Sequence, residues 1–137
     1  MISPSSPLVL VGAGNMGGAM LNGWLDSGID PAAIVVIDPK TSDEMSLKLA
    51  SLKVRLEEAA PAGLIAGVLV LAVKPQIMDQ AIAGLSGLIG PDTVTLSVAA
   101  GKTIAYFEER LGGAIVRTIP NTPAMIGRGI TGAVANA

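Results

Sequence analysis

The sequence predicts a doubly wound α/β fold, in which a mostly parallel sheet carries helices on both of its faces. Three observations predict this class. Patterns typical of strands and of helices alternate along the chain. Half of the 137 residues are apolar while only 2% are aromatic, so the core has to be aliphatic. Glycine is frequent, at 17 positions, and small residues allow helices to pack closely on such a sheet.

The individual elements follow one another through most of the chain. Strands are expected at residues 8–12, 33–38, 67–73, 93–97 and 114–119, and helices at residues 15–27, 42–52, 76–89 and 103–111. Residues 1–7 contain Ser and Pro without an apolar pattern, and we expect them to form a flexible leader. The remaining length fits one domain, residues 8–137.

The first strand runs into a glycine-rich turn. Residues 8–18 read LVLVGAGNMGG, which places Gly12, Gly14 and Gly17 at the G-x-G-x-x-G spacing. The first glycine permits a tight turn out of the strand, the second lets the backbone approach a pyrophosphate, and the third lets the following helix pack closely. The free N–H groups at the start of that helix suit a phosphate. Between a strand and a helix, the motif predicts a dinucleotide-binding domain of the Rossmann type.

An acidic residue ends the second strand. Asp38 follows the motif by about 20 residues, where such domains place an acid that accepts hydrogen bonds from the adenosine ribose. A carboxylate there repels a 2′-phosphate and favours NAD over NADP. Lys40 can instead pair with that phosphate, and an Asp before Pro39 is also a common turn former. The choice between NADPH and NADH therefore stays open.

Two further loops combine unusual residues with the end of a strand, where ligands bind in such sheets. Residues 72–75 read Ala-Val-Lys-Pro, and the proline holds Lys74 extended, so the segment can line a cofactor ribose. Alternatively, Lys74 only reaches water from a strand end. Residues 99–101 read Ala-Ala-Gly and form either a floor beneath the nicotinamide or a tight entry into a helix.

A third loop carries two polar side chains between prolines. Asn121 and Thr122 lie between Pro120 and Pro123, which limit the freedom of the backbone. Polar groups held in place at a strand end are what an active site needs. The alternative is that the pair only stabilises a turn through hydrogen bonds to the backbone.

Composition excludes several kinds of chemistry. The chain contains no Cys and no His, so it lacks thiolates and the commonest metal ligand and general base, and we expect no metal site. A net charge of −2 without a basic run provides no electrostatic footprint for nucleic acid. No apolar run reaches the length of a membrane span and no secretory signal is evident, so we expect a cytoplasmic protein. Catalysis by this chain has to use a cofactor.

Taken in order, the motifs resemble those of the pyrroline-5-carboxylate reductases. The resemblance spans almost the whole chain and rests on the glycine motif and on residues 72–75, 97–101, 103–104 and 120–129. It implies that the cyclic imine 1-pyrroline-5-carboxylate is reduced to L-proline, the closing step of proline synthesis, by hydride from NADPH or NADH. Because the imine is already electrophilic, this reaction needs mainly positioning and exclusion of water.

The resemblance also implies roles for individual residues. It places Asn121 and Thr122 beside the reacting centre. Motif and resemblance together assign the following residues to the cofactor: Val11, Gly12, Ala13, Gly14, Asn15, Met16, Gly17, Asp38, Lys40, Ala72, Val73, Lys74, Pro75, Ala99, Ala100 and Gly101.

Such reductases continue into a helical second domain that builds a homo-oligomer and most of the imino-acid site. We therefore expect the chain to be the cofactor half of a longer reductase, with a small imino acid as the substrate. Two alternatives remain. One is another two-domain reductase, of the 3-hydroxyacid dehydrogenase or deazaflavin-linked NADP type. The other is a nucleotide-binding module without catalytic activity.

Overall fold

A computed structural model of the chain describes residues 2–98, 102–119 and 131–135. The strands are β1 (Leu8–Val11), β2 (Ile34–Ile37), β3 (Arg55–Glu57), β4 (Val68–Leu71), β5 (Val94–Ser97), β6 (Ala114–Ile119) and β7 (Thr131–Ala135). The helices are α1 (Asn15–Asp26), α2 (Asp43–Leu52), α3 (Met78–Ile82) and α4 (Ile104–Arg110), with 3₁₀ turns at Pro31–Ala33, Pro75–Ile77 and Ser86–Leu88. Within these ranges, no helix is long and apolar enough to cross a membrane.

The strands form one sheet in the order β3-β2-β1-β4-β5-β6-β7. All neighbours from β3 to β6 are parallel, and β7 pairs with β6 in the antiparallel direction. Strand β1 pairs with both β2 and β4, so the order of the strands reverses at β1. Ligands bind at such a reversal, beyond the carboxyl ends of the strands. The predicted mostly parallel, doubly wound sheet is confirmed.

Alternate residues of the central strands serve two separate cores. Val9 and Val11 belong to a core that also contains Met78 of α3 and Phe107 of α4. Leu8 and Leu10 belong to the opposite core, which contains residues of α1 and α2. Helices therefore cover both faces of the sheet. Strand β1 has no polar side, because each of its residues is buried.

Strands β3 and β7 have no counterpart among the predicted elements, and one predicted helix is shorter than expected. Strand β3 has three residues, and its end residues Arg55 and Glu57 form an exposed ion pair of 2.7 Å, so it lacks an apolar signal. The helix expected at residues 76–89 is a 3₁₀ turn, helix α3 and a second 3₁₀ turn. Gly84 and Gly87 lie in this region, and glycine in a helix interior costs about 1 kcal/mol relative to alanine.

Residues 2–7 lie against the sheet. The backbones of Ser3 and Ser6 exchange hydrogen bonds of 3.0 and 2.9 Å, and Ile2 packs on the core formed with α1 and α2. The Pro7 carbonyl accepts a hydrogen bond of 2.8 Å from the Gly67 N–H. Residues 2–7 thus form a turn that contacts the sheet through Gly67, a residue in a distant part of the chain.

We expect Gly67→Ala to destabilise the domain by about 1–2 kcal/mol. A Cβ atom at Gly67 would overlap the Ser6 hydroxyl and lie 2.6 Å from the Ser6 carbonyl oxygen. The control is Gly84→Ala, since a Cβ atom there has no neighbour within 4 Å. Urea unfolding measures both variants. Equal midpoints would contradict the close packing of residues 2–7 on Gly67.

Candidate functional site

The glycine-rich turn brings the end of β1 against the strands on both sides. Gly12 has a φ of +96°, a conformation that side chains strongly disfavour. Its N–H donates a hydrogen bond of 3.0 Å to the Ile37 carbonyl at the end of β2. On the other side, a Cβ atom at Gly12 would lie 2.9 Å from Val73 Cγ1 and 3.0 Å from the Ala72 carbonyl oxygen. The turn therefore joins two segments that the sequence assigns to the cofactor.

The other two glycines of the motif differ in their surroundings. A Cβ atom at Gly17 would overlap the Gly12 carbonyl oxygen, so α1 lies directly on the turn. Around Gly14, a Cβ atom would have no neighbour within 4 Å. Helix α1 begins at Asn15 and no side chain caps its N-terminus, which leaves N–H groups and the positive end of the helix facing this open space. The geometry suits a bound anion whose approach requires a glycine.

Asp38 ties the turn to the segment that follows β2. One of its carboxylate oxygens accepts a hydrogen bond of 2.9 Å from the Ala13 N–H, and the other accepts one of 2.9 Å from the Lys40 N–H. Its carbonyl oxygen accepts a hydrogen bond of 3.0 Å from the Thr41 hydroxyl. Asp38 is therefore a turn former, and in addition it fixes the glycine-rich turn. The bond to Ala13 joins residues far apart in the sequence, so no local pattern indicates it.

A cleft of about 360 Å³ opens beside Gly14. It is lined by Ala13, Gly14, Asn15, Asp38, Lys40, Thr41, Ser42, Glu44, Met45 and Lys48. The first five of these residues are among those assigned to the cofactor from the sequence. The other five come from α2 and its preceding loop, and no motif in the sequence marks them as site residues. A weak signal exists in Ser42, which caps α2 by accepting a hydrogen bond of 3.1 Å from the Met45 N–H.

Helices α1 and α2 are held together at this cleft. Lys48 Nζ donates a hydrogen bond of 2.6 Å to Asn22 Oδ1. A Cβ atom at Gly18 would lie 3.1 Å from Met45 Cε, so the two helices approach closely at that point. The cleft carries two lysines and two carboxylates, and its charge is balanced overall. A ligand with both anionic and hydroxyl groups fits such a lining.

Of the remaining residues that the sequence assigns to the cofactor or to the reacting centre, some lie within the described ranges and others lie outside them. Val11 accepts a hydrogen bond of 2.9 Å from the Ala72 N–H, and Met16 packs on the core formed with α1 and α2. Lys74 is exposed and precedes the 3₁₀ turn that Pro75 begins, at the same edge of the sheet as Gly12. Five predicted residues lie outside the described ranges, namely Ala99, Ala100, Gly101, Asn121 and Thr122. They follow the carboxyl ends of β5 and β6, and their roles stay predictions.

Comparison with known proteins places the chain among nicotinamide-dependent oxidoreductases. Residues 7–101 match a family model described as NADP oxidoreductase, coenzyme F420-dependent. The pyrroline-5-carboxylate reductase of Pseudomonas aeruginosa is 34% identical over 138 residues, covering 95% of this chain and 48% of that protein. The Mycobacterium tuberculosis reductase is 32% identical over 139 residues, covering 96% of this chain and 47% of that protein. The chain thus spans about half the length of the curated relatives it matches.

Solved structures of pyrroline-5-carboxylate reductases also resemble this chain. A pyrroline-5-carboxylate reductase from Coxiella burnetii has a TM-score of 0.81 and 30% identity, covering 96% of this chain and 50% of that one. A Plasmodium falciparum pyrroline carboxylate reductase with NADP bound has a TM-score of 0.69 and 22% identity, covering 89% of this chain and 45% of that one. The second likeness concerns the fold alone. The resemblance to pyrroline-5-carboxylate reductases that the motifs indicate is confirmed.

Proposed function

Since the chain belongs to the family described as NADP oxidoreductase, coenzyme F420-dependent, we propose that it is the cofactor-binding part of a pyrroline-5-carboxylate reductase. The observation that carries the proposal is the similarity of nearly the whole chain to curated enzymes of that name. The glycine-rich turn supports it, because an uncapped helix start faces open space beside Gly14. The proposed reaction reduces the cyclic imine to L-proline, and the bound nicotinamide supplies the hydride.

In this proposal, the chain's own residues bind and orient the cofactor. The turn from Val11 to Gly17 would hold the pyrophosphate through backbone N–H groups, and the cleft beside Asp38 would hold the adenosine ribose. Residues 72–75 would lie along the other ribose and residues 99–101 beneath the nicotinamide. Asn121 and Thr122 would border the imine and orient it. The rest of the imino-acid site and the oligomer interface would belong to a further, helical domain of the reductase.

We further propose that the cofactor is NADPH rather than NADH. The family description names NADP, and the Plasmodium structure holds it. Asp38 offers weaker opposition to a 2′-phosphate than its position suggests, because both carboxylate oxygens accept backbone N–H groups. Lys40, Thr41 and Ser42 line the same cleft, and ammonium and hydroxyl groups are suited to binding a phosphate.

Two experiments test the proposed function. Calorimetric titration of the chain with NADPH and with NADH is expected to detect binding, tighter for NADPH. Absence of binding for both nucleotides would overturn the proposal. The substrate is tested by joining the chain to the remaining half of the Pseudomonas aeruginosa reductase and assaying reduction of 1-pyrroline-5-carboxylate. A chimera that binds NADPH and reduces coenzyme F420 instead of the imine would favour the deazaflavin-linked alternative.

Lys40→Met is expected to weaken NADPH binding about tenfold and to leave NADH binding unchanged, because only NADPH presents a phosphate to this cation. Lys53→Met is the matched control, since Lys53 is exposed at the C-terminal end of α2, opposite the end that lines the cleft. Calorimetry measures all four combinations. If Lys40→Met weakened the binding of NADPH and of NADH equally, Lys40 would not be the residue that recognises the 2′-phosphate.

A further inference from the structure

Four charged side chains line the cleft, and hydrogen bonds hold two of them in place. Both carboxylate oxygens of Asp38 accept backbone N–H groups, at 2.9 Å each. Lys48 Nζ donates a hydrogen bond of 2.6 Å to Asn22 Oδ1 on α1. The other two charged residues, Lys40 and Glu44, are exposed. In the part of the chain that the structure describes, no ion pair involves a residue that lines the cleft.

The hydrogen bond to Asn22 draws Lys48 away from a carboxylate on its own helix. Glu44 precedes Lys48 by four residues on α2, the order in which an ion pair along a helix is most favourable. The Lys48 ammonium instead contacts α1. The two helices approach closely where Gly18 faces Met45, and Asn22 and Lys48 lie about one helical turn further along. The charge of Glu44 is therefore not compensated by this lysine.

Glu44 lies beside the residues that suit a phosphate. It belongs to the first turn of α2 and lines the cleft together with residues 40–42, where the proposed function places the 2′-phosphate. A carboxylate in the first turn stabilises a helix, because that end of the helix is positive. Asp43 already supplies this charge from the same turn and does not line the cleft. The stability of the helix alone therefore does not account for a carboxylate in the cleft.

We propose that Glu44 limits the preference of the chain for NADPH over NADH. Its negative charge repels a 2′-phosphate in the cleft and partly offsets the attraction of Lys40 for that group. NADH carries an uncharged hydroxyl at the same position, and a hydroxyl can donate a hydrogen bond to a carboxylate. The inference rests on the proposed function, because it concerns the cleft proposed for the adenosine ribose. It predicts that the chain binds both dinucleotides with a modest difference in affinity.

Glu44→Gln removes the charge and nearly keeps the size of the side chain. At low ionic strength we expect NADPH to bind about threefold more tightly, as for the loss of repulsion between exposed charges, and NADH to bind no more tightly than to the wild-type chain. Asp43→Asn is the matched control, because it removes one negative charge from the same helical turn outside the cleft. It should change neither affinity. Added salt should reduce the gain, because it screens exposed charges.

Asn22→Ala tests the hydrogen bond that holds Lys48. Asn22 is exposed on α1, and alanine suits a helix, so the variant should fold. The substitution frees Lys48 to pair with Glu44, and we expect NADPH to bind about twofold more tightly. Combined with Glu44→Gln, it should give no further gain, since the charge on which it acts is then absent. A gain that persists in the double variant would overturn the link from Asn22 through Lys48 to Glu44.

Calorimetric titration of each variant with NADPH and with NADH separates the possible outcomes. A selective gain for NADPH in Glu44→Gln, absent from Asp43→Asn, is the expected result. Unchanged NADPH binding in Glu44→Gln would overturn the role of Glu44, as would an equal gain for both nucleotides or the same gain in the control. A wild-type chain that binds neither nucleotide would overturn the proposed function itself, and the inference with it.

Discussion

Gly17→Ala is expected to destabilise the domain by about 3 kcal/mol or more and to abolish dinucleotide binding. The added methyl group would overlap the Gly12 carbonyl oxygen, which is a backbone atom. That oxygen has little freedom to move, because the Gly12 N–H is hydrogen-bonded to the Ile37 carbonyl and Val73 leaves no room for a side chain at Gly12. Helix α1 would have to leave the turn. Urea unfolding followed by fluorescence of Trp24, the only tryptophan, reports directly on this helix.

Gly14→Ala is the matched control for this prediction. Gly14 has a φ of −75° with extended backbone, which alanine adopts readily, and its Cβ atom would meet no neighbour within 4 Å. The unfolding midpoint should therefore stay unchanged while affinity for NADPH falls at least about tenfold, since the methyl group occupies the phosphate's approach. Wild-type affinity in Gly14→Ala would show that the pyrophosphate binds elsewhere. Wild-type stability in Gly17→Ala would contradict the packing of α1 on the turn.

These two glycines illustrate what the sequence can predict. A G-x-G-x-x-G spacing encodes a local steric requirement, and the structure places each glycine in the surroundings that the motif implies. The central strands are equally predictable, because burial on both faces requires continuous apolar runs. The glycine spacing and the apolar runs both depend only on residues that are neighbours in the chain. They can therefore be recognised without knowledge of the tertiary structure.

The elements that escape prediction depend on distant partners. Strand β3 is a short edge strand whose end residues are charged, so only its pairing with β2 identifies it. The turn at residues 2–7 requires Gly67, and the hydrogen bond from Ala13 to Asp38 crosses between two strands. On the α2 side of the cleft, Ser42 has the sequence signature of an ordinary helix cap whether or not a ligand binds beside it.

Asp38→Ala should lower the free energy of unfolding by about 2–3 kcal/mol and weaken NADPH binding together with it. The substitution leaves the Ala13 N–H without its acceptor, and Ala13 is only 8% exposed, so water cannot fully replace the carboxylate. The turn then loses its link to the segment after β2. Asp38→Asn keeps one oxygen that can accept one of the two N–H groups, and its stability should lie between wild type and alanine. Urea unfolding and calorimetry measure the two effects.

The control for Asp38 is Asp30→Ala, because Asp30 makes a comparable hydrogen bond of 2.9 Å to the Ala32 N–H at a site away from the cleft. It should cost about 1 kcal/mol, as for a helix cap, without any change in affinity. If Asp38 acted only by contacting the ribose, Asp38→Ala would weaken NADPH binding and leave the free energy of unfolding at its wild-type value. The hydrogen bond to Ala13 predicts instead that stability and affinity fall together, since the same carboxylate holds the turn on which the pyrophosphate rests.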